Sequence, residues 1–475
     1  PPIHHLAAAG VSWRILIDDL ATACDHIARG EPVILPPATP PGSWARRLLA
    51  CAGSRALAAE LDHWRGLDDA AAARLPGAAP AQPDTVAETV ATGVEEVLVL
   101  DADTTAALLG RAGAAYRTQV NDLLLAGLVR AVAQWREAAG EHAGAGLLLE
   151  LEGHGRESLA EAEAELDLGP ALDLSRTVGW LTSAFPVRLP GGPRDDDAAL
   201  IKGVKEALRQ VPRRGLGFGV LAAHGPDHVR ATLAALPAPQ LSFNYLGRFD
   251  ASLGAAAPVA LAPESAGPTR SGDAPLGRAL TINAGVRDGC LQVAFSTSRL
   301  RYDRATIARL SAAYGDALRA LTAHCLDGAA GLTPSDVPLA ALAQADLDGL
   351  GLDWAEVDDL YPLTPMQQGI LFHALDAETS PEARGLYLNQ VAVTASGLDP
   401  DRLVEAWAAV SARHPVLRSA ILRANLPGTV PGGALQVVLR NPALPVTSED
   451  WRDQTLPEPD LDARLDARAA AERER

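Results

Sequence analysis

Two histidines stand side by side near the start of the chain, His4-His5, with Gly10 five residues beyond the second. A neutral imidazole is the side chain best matched to moving a proton near pH 7. The pair reads as an extended segment, where neighbouring side chains point to opposite faces, so only one ring can face a given cleft. Gly10 would let backbone or ligand approach closely before a helix begins. The competing reading is a pair of buried, hydrogen-bonded rings without chemistry. A second candidate is the hexapeptide Glu152-Gly153-His154-Gly155-Arg156-Glu157, at the end of the apolar run 147–151. Its alternating glycines remove bulk and leave a carboxylate, an imidazole and a guanidinium at a strand end, where a rigid element can hold them. A plain charged turn is the alternative. Glu152 and His154 also share a face of an extended chain and so could ligate a metal, but no third ligand and no His-x-x-x-His helix pair accompanies them.

Three further clusters carry less chemistry. Arg176-Thr177-Val178-Gly179-Trp180-Leu181-Thr182, with Phe185-Pro186-Val187-Arg188-Leu189, reads as structural rather than catalytic. Gly215, Gly217 and Gly219 read as a glycine-rich turn; no Gly-Lys-Ser/Thr follows, so it is not a phosphate loop. Phe243-Asn244-Tyr245-Leu246-Gly247 ends a strand and would offer an amide, Asn244, and a phenol, Tyr245, to a cleft.

The elements that must position these residues follow from apolar spacing. Residues 3–20 read as a strand or loop feeding a helix, and the proline-dense stretch 31–41 and the Ala/Pro-rich stretch 70–83 as connectors. Strands are expected at 96–100, 147–152, 240–246, 280–286 and 291–297. Helices are expected at 104–115, 121–137, 198–209 and 304–324, the second with Leu124, Leu128, Ala131 and Trp135 at helical spacing. The Gly, Pro and Asp content of 327–338 marks a linker. Beyond it come a helix at 365–375, a strand at 388–395 and a helix at 401–413. Strands alternating with amphipathic helices place the chain in the α/β (α+β) class.

Bulk composition excludes several functions. Of 475 residues, 48% are hydrophobic and 21% charged, which suits large cores and rules out a disordered chain. Acidic residues exceed basic ones, 59 to 41, for a net charge of −18, which argues against a nucleic-acid groove. Cys24, Cys51, Cys290 and Cys325 lack CxxC spacing, which speaks against a zinc site or disulfide framework and for a reduced, cytoplasmic setting. No apolar run is long enough for a membrane span. Both ends, Pro1-Pro2 and the tail through Glu474-Arg475, read as cut from something longer, and Met366 is the only methionine.

In this order the segments resemble the epimerization domains of nonribosomal peptide synthetases, relatives of condensation domains. His4-His5-Leu6-Ala7-Ala8-Ala9-Gly10 looks like the family's His-His-x-x-x-Asp-Gly motif. Asn121-Asp122-Leu123-Leu124, the 152–157 hexapeptide, the 176–189 stretch, the 212–219 glycine segment and 243–247 resemble the later signatures. Tyr361-Pro362-Leu363-Thr364-Pro365-Met366-Gln367-Gln368-Gly369 is similar to the opening of a condensation domain, and Arg413-His414-Pro415-Val416-Leu417-Arg418 to its next signature. The resemblance implies an epimerization domain over 1–325, with the remainder of a first lobe at 1–93 and a second lobe at 94–325. A linker at 326–357 and the N-terminal part of a condensation domain at 358–475 would follow. The implied fold is a chloramphenicol-acetyltransferase-like pair of lobes, N-terminally truncated here, plus a partial lobe of the same kind.

The same resemblance implies inversion of an aminoacyl or peptidyl thioester at its α-carbon, L to D. The substrate would ride on the 4'-phosphopantetheine arm of a carrier protein, with no cofactor bound directly and carrier domains upstream and downstream as partners. By motif matching, His5 and Glu152 form the acid–base pair, with Tyr245 and Asn244 assisting the enolate. His4, Gly10, Arg188 and His154 shape the motifs. Ala9 replaces the family's aspartate. The matching arginine, Arg188, is therefore expected to lose its partner and stand as an unpaired buried charge, and the fragment alone to be inactive. A condensation-type acyltransferase and a degenerate scaffold remain as alternatives.

Overall fold

The computed structural model describes residues 3–77, 87–141, 143–191, 196–248, 267, 270–378, 387–423, 428, 430–451 and 458–473. The chain separates into two units, Pro1–Ala329 and Ala330–Arg475. The first begins with five helices, α1 (Gly10–Ala28), α2 (Pro41–Cys51), α3 (Arg55–Ala58), α4 (Leu61–Arg65) and α5 (Ala70–Ala73). There follow β1 (Gly93–Val99), α6 (Ala102–Leu109), α7 (Val120–Ala138), β2 (Leu147–Gly153), α8 (Ala160–Glu165) and β3 (Ser183–Leu189). The unit then runs through α9 (Asp197–Arg209), α10 (Leu216–His224), α11 (Asp227–Ala234), β4 (Leu241–Arg248), β5 (Leu280–Arg287), β6 (Cys290–Ser298) and α12 (Arg304–Leu326).

The six strands form one sheet in the order β1-β6-β5-β4-β2-β3. The pairs β2–β4 and β4–β5 are parallel and the others antiparallel. Period-2 alternation sends Leu149, Leu151, Phe243, Ile282, Val293 and Phe295 into the core. α12 adds Ile307, Leu310, Tyr314, Leu318 and Leu321 to that core, and α7 adds Leu124, Leu128 and Ala131. These two helices meet where Gly127 leaves space: a Cβ there would stand 2.7 Å from Leu318 Cδ2. The buried phenol of Tyr314 donates to the Leu124 carbonyl at 3.1 Å, so its polar atom is satisfied. The α+β class expected from periodicity is the class observed.

The second unit holds α13 (Gln344–Gly349), β7 (Val357–Pro362), α14 (Pro365–Glu378), α15 (Pro400–Arg413), β8 (Ser419–Leu422), β9 (Leu435–Leu439) and α16 (Glu458–Arg473). Its sheet, in the order β7-β9-β8, is antiparallel. The division between the two units, after Ala329, falls within residues 326–357, expected as a linker, and the residues from Leu332 onward are folded: Leu332, Val337, Ala340, Leu342, Leu347 and Leu350 pack with Val357 and Leu360 in one core. Leucines at short intervals outweigh the Gly and Pro content.

Other local expectations change as well. No strand forms at 388–395; Val391 and Val393 are exposed and no neighbouring strand pairs with them among the described residues. Gly217 and Gly219 lie inside α10, not in a turn, and a Cβ at Gly217 would fall 2.2 Å from a carboxylate oxygen of Glu60, which Trp64 and Arg213 hold in place. The expected connector 70–83 begins with helix α5; its residues 78–83 lie outside the described residues, as do Pro1, Pro2, Glu474 and Arg475.

Candidate active site

Glu152 occupies the penultimate position of β2, on the sheet face opposite the core. The register aligns two polar rows across that face. Glu150 of β2 stands beside Ser242 of β4 and Thr281 of β5, and the next row runs from Glu152 through Asn244 to Asn283. Asn244 donates from Nδ2 to Glu152 Oε2 at 2.8 Å. Ser242 donates to Thr281 Oγ1 at 3.2 Å. The Glu152 carboxylate is open to solvent at the strand end, yet the surrounding protein removes part of its hydration. That loss raises its pKa above the ordinary value, Glu150 raises it further, and His5 pulls it back.

His5 is held by a turn, not by the extended strand expected for the pair. The Ala7 N–H donates to the His4 carbonyl at 2.8 Å. His5 Nδ1 lies 3.1 Å from the Ala8 carbonyl, and since a carbonyl only accepts, Nδ1 carries the hydrogen. In the neutral ring this leaves the lone pair on Nε2, the tautomer a proton acceptor needs. The ring lies 5.9 Å from that of Trp180. His4 is exposed and its Nδ1 accepts the Leu6 N–H at 3.2 Å. Gly10 opens α1, and a Cβ there would meet nothing within 4 Å, so the close approach expected of it is not found among the described residues.

The turn is tied to the 176–182 loop through the start of α1. Buried Ser12 donates from Oγ to the Gly179 carbonyl at 2.8 Å and accepts the Gly179 N–H at 3.0 Å. Further along α1, Arg176 pairs with both Asp18 and Asp19. The loop after β2 is fixed by Gly155, whose φ is +66° and where a Cβ would fall 1.5 Å from the Leu181 carbonyl oxygen. Trp44 Nε1 donates to the Gly155 carbonyl at 3.1 Å. Arg156 donates to the carbonyls of His154, Leu174 and Thr177, which is a structural role. His154 accepts the Arg156 N–H on Nδ1 and stands 3.4 Å from Glu157 Oε1.

Two sequence expectations need correction. Arg188 is neither buried nor unpaired: Nε donates to Asp69 Oδ2 at 3.0 Å and Nη2 lies 2.9 Å from the same oxygen. Asp69 also caps α5, 119 positions away in sequence, which no local pattern discloses. Asn244 and Tyr245 cannot serve one cleft together, because adjacent strand residues face opposite sides. Asn244 meets Glu152, whereas Tyr245 packs against the hydrophobic core, half-buried, with its phenol pKa raised by lost hydration. Sequence reasoning missed Ser12, Glu150 and Arg278. Glu150 was readable, two positions before Glu152 on one strand; Arg278, which pairs with it, was not.

Comparison with known proteins places these features in context. The family model described as "Condensation domain" matches residues 2–335. The chain is 37% identical over 453 residues to a linear gramicidin synthase of Brevibacillus parabrevis, covering 94% of this chain and 8% of that protein. It is 34% identical over 461 residues to a mycosubtilin synthase of Bacillus subtilis, covering 95% and 16%. The chain thus spans only a small fraction of these relatives. Among solved structures, the epimerization domain from the third module of tyrocidine synthetase B is similar at a TM-score of 0.59 and 31% identity, with 68% of each chain covered.

Proposed function

The chain belongs to the condensation-domain family of nonribosomal peptide synthetases, and from that premise we propose that its first unit epimerizes an aminoacyl or peptidyl thioester, L to D, on a carrier protein. The thioester would be presented on the 4'-phosphopantetheine arm of the carrier. A thioester acidifies the adjacent α-hydrogen, and inversion needs one group to remove that proton and another to deliver one to the opposite face. His5 is suited to the first task through its Nε2 lone pair. Glu152, whose proton is retained to higher pH than an ordinary glutamate's, is suited to the second; reversing the roles returns the D form. Asn244 steadies the ionised carboxylate.

The observation that carries this reading is Glu152 held on a rigid strand end and bonded to Asn244 at 2.8 Å, together with a His5 whose Nδ1 is engaged by the Ala8 carbonyl. Its similarity to a tyrocidine synthetase epimerization domain supports the same choice. The second unit, with its Tyr361–Gly369 segment, would be the start of a condensation domain that accepts the D-configured product. A cytoplasmic setting fits the four free cysteines; among the described residues no helix is long and apolar enough to cross a membrane.

The test is chiral chromatography of the amino acid released from a loaded carrier after incubation with the synthetase that contains this chain. A mixture of L and D forms supports epimerization. Retained L configuration with a new amide bond between two carrier-bound groups would instead establish condensation.

A further inference from the structure

The polar sheet face carries a second carboxylate that the proposed reaction does not use. Glu150 lies two residues before Glu152 on the same face of β2, about 7 Å along the strand. Arg278, from the segment leading into β5, grips it: Nε donates to Oε1 at 3.2 Å and Nη2 donates to Oε2. The remaining Nη1 donates to the Pro239 carbonyl at 3.2 Å, which fixes the guanidinium from behind. Both side chains are largely covered, at 29% and 24% exposure, so this is not a freely solvated surface pair. Of the neighbouring elements, β3 sets Pro186 and Ala184 opposite Glu150 and Glu152, and β4 offers Ser242 and Asn244. None of these titrates. Glu150 on its own strand favours the protonated form of Glu152, and His5 from the segment before α1 opposes it.

We propose that Arg278 is a positioning residue of this site, which by pinning and pairing with Glu150 weakens the action of that second negative charge on Glu152. The functional consequence rests on the epimerization reading; the electrostatic relationship does not. A carboxyl that must both give and take a proton works only while both of its forms are accessible, and an unscreened like charge on the same face favours the protonated one. Hydration loss and Glu150 already hold the Glu152 carboxyl above its ordinary range. Arg278 limits how far the second of these acts.

The test is a carbon-13 titration of the glutamate carboxyls in the full chain, with the Glu152 resonance assigned from Glu152→Gln. In Arg278→Met the Glu152 midpoint should rise by about half a pH unit, the size expected for one unscreened charge at that separation. In Glu150→Gln it should fall, and the double variant should match Glu150→Gln. An unmoved midpoint in Glu150→Gln overturns the inference, even if Arg278→Met fails to fold. Because this readout needs no turnover, it stands apart from the epimerization assay. In an active synthetase the acid limb of the α-proton exchange rate should shift with the titration; a shifted titration with an unshifted rate profile would reject the positioning role and leave epimerization intact.

Discussion

Asn244 and Glu152 are joined by a 2.8 Å hydrogen bond across the parallel pairing of β4 with β2. The amide donates, so it stabilises the ionised form of the carboxyl and works against the loss of hydration that favours the protonated form. Replacing Asn244 with Leu should raise the Glu152 midpoint further. It should also slow α-proton exchange by about tenfold, the effect of losing one charge-assisted hydrogen bond. Unchanged exchange kinetics would show that the bond has no part in the chemistry.

Substituting Glu152 with Gln keeps the shape and removes the titrating group. Loss of a general acid–base group predicts a fall in exchange of about 100- to 10,000-fold. Stability should respond in the other direction. The folded pKa of Glu152 lies above the ordinary 4.5, so between the two values the folded state binds more protons than the unfolded one, and wild-type stability falls as pH rises through that window. Thermal melts should therefore show the Gln variant equal to wild type below about pH 4, the region where both forms of the glutamate are protonated, and relatively more stable near pH 7. A Gln variant that loses stability at pH 7 would contradict this.

Much of the frame was legible from spacing alone. The alternation in β5 and β6 follows the strand period throughout, α7 is apolar enough to be buried continuously from Asp122 to Val129, and Leu147–Gly153 is a strand because its run of leucines is bounded by Gly146 and Gly155 at positive φ. β3 was harder. Pro186 cannot donate to a ladder, and the strand tolerates it because β3 is the sheet edge. The site was half legible: Glu152 and His5 stand in local motifs, but their supports come from afar. Ser12 reaches Gly179, Arg278 reaches Glu150, and Arg188 turns to Asp69. Such pairs depend on chain topology, which apolar periodicity does not encode.

Gly155 offers a sharper test of the loop that follows β2. Alanine there would combine a left-handed backbone with a Cβ 1.5 Å from the Leu181 carbonyl oxygen. The predicted cost is about 2–5 kcal/mol, measured by urea unfolding. A loss under about 1 kcal/mol would mean that the 153–158 loop relaxes without resistance.

Ala9 is the N-cap of α1, with φ −92° and ψ 174°, and makes no side-chain cap. Ala9→Asp offers a side-chain cap worth about 0.5–1 kcal/mol, but Ala9 is buried, so desolvation of the carboxylate should offset it and leave stability within about 1 kcal/mol of wild type. Because Arg188 is engaged with Asp69, the effect of Ala9→Asp should be additive with Arg188→Ala in a double-mutant cycle. Strong coupling between the two positions would restore the expectation that the aspartate's natural partner is Arg188.

The most direct test of the central claim is deuterium incorporation at the α-carbon of an aminoacyl group loaded on the cognate carrier and incubated in heavy water with the synthetase carrying this chain. The account predicts one deuterium at that carbon, in both L and D products, and with Glu152→Gln or His5→Ala a loss of the D product together with exchange slowed by about 100-fold or more. Absence of α-deuterium in the wild-type reaction, with the carrier fully loaded, would contradict it.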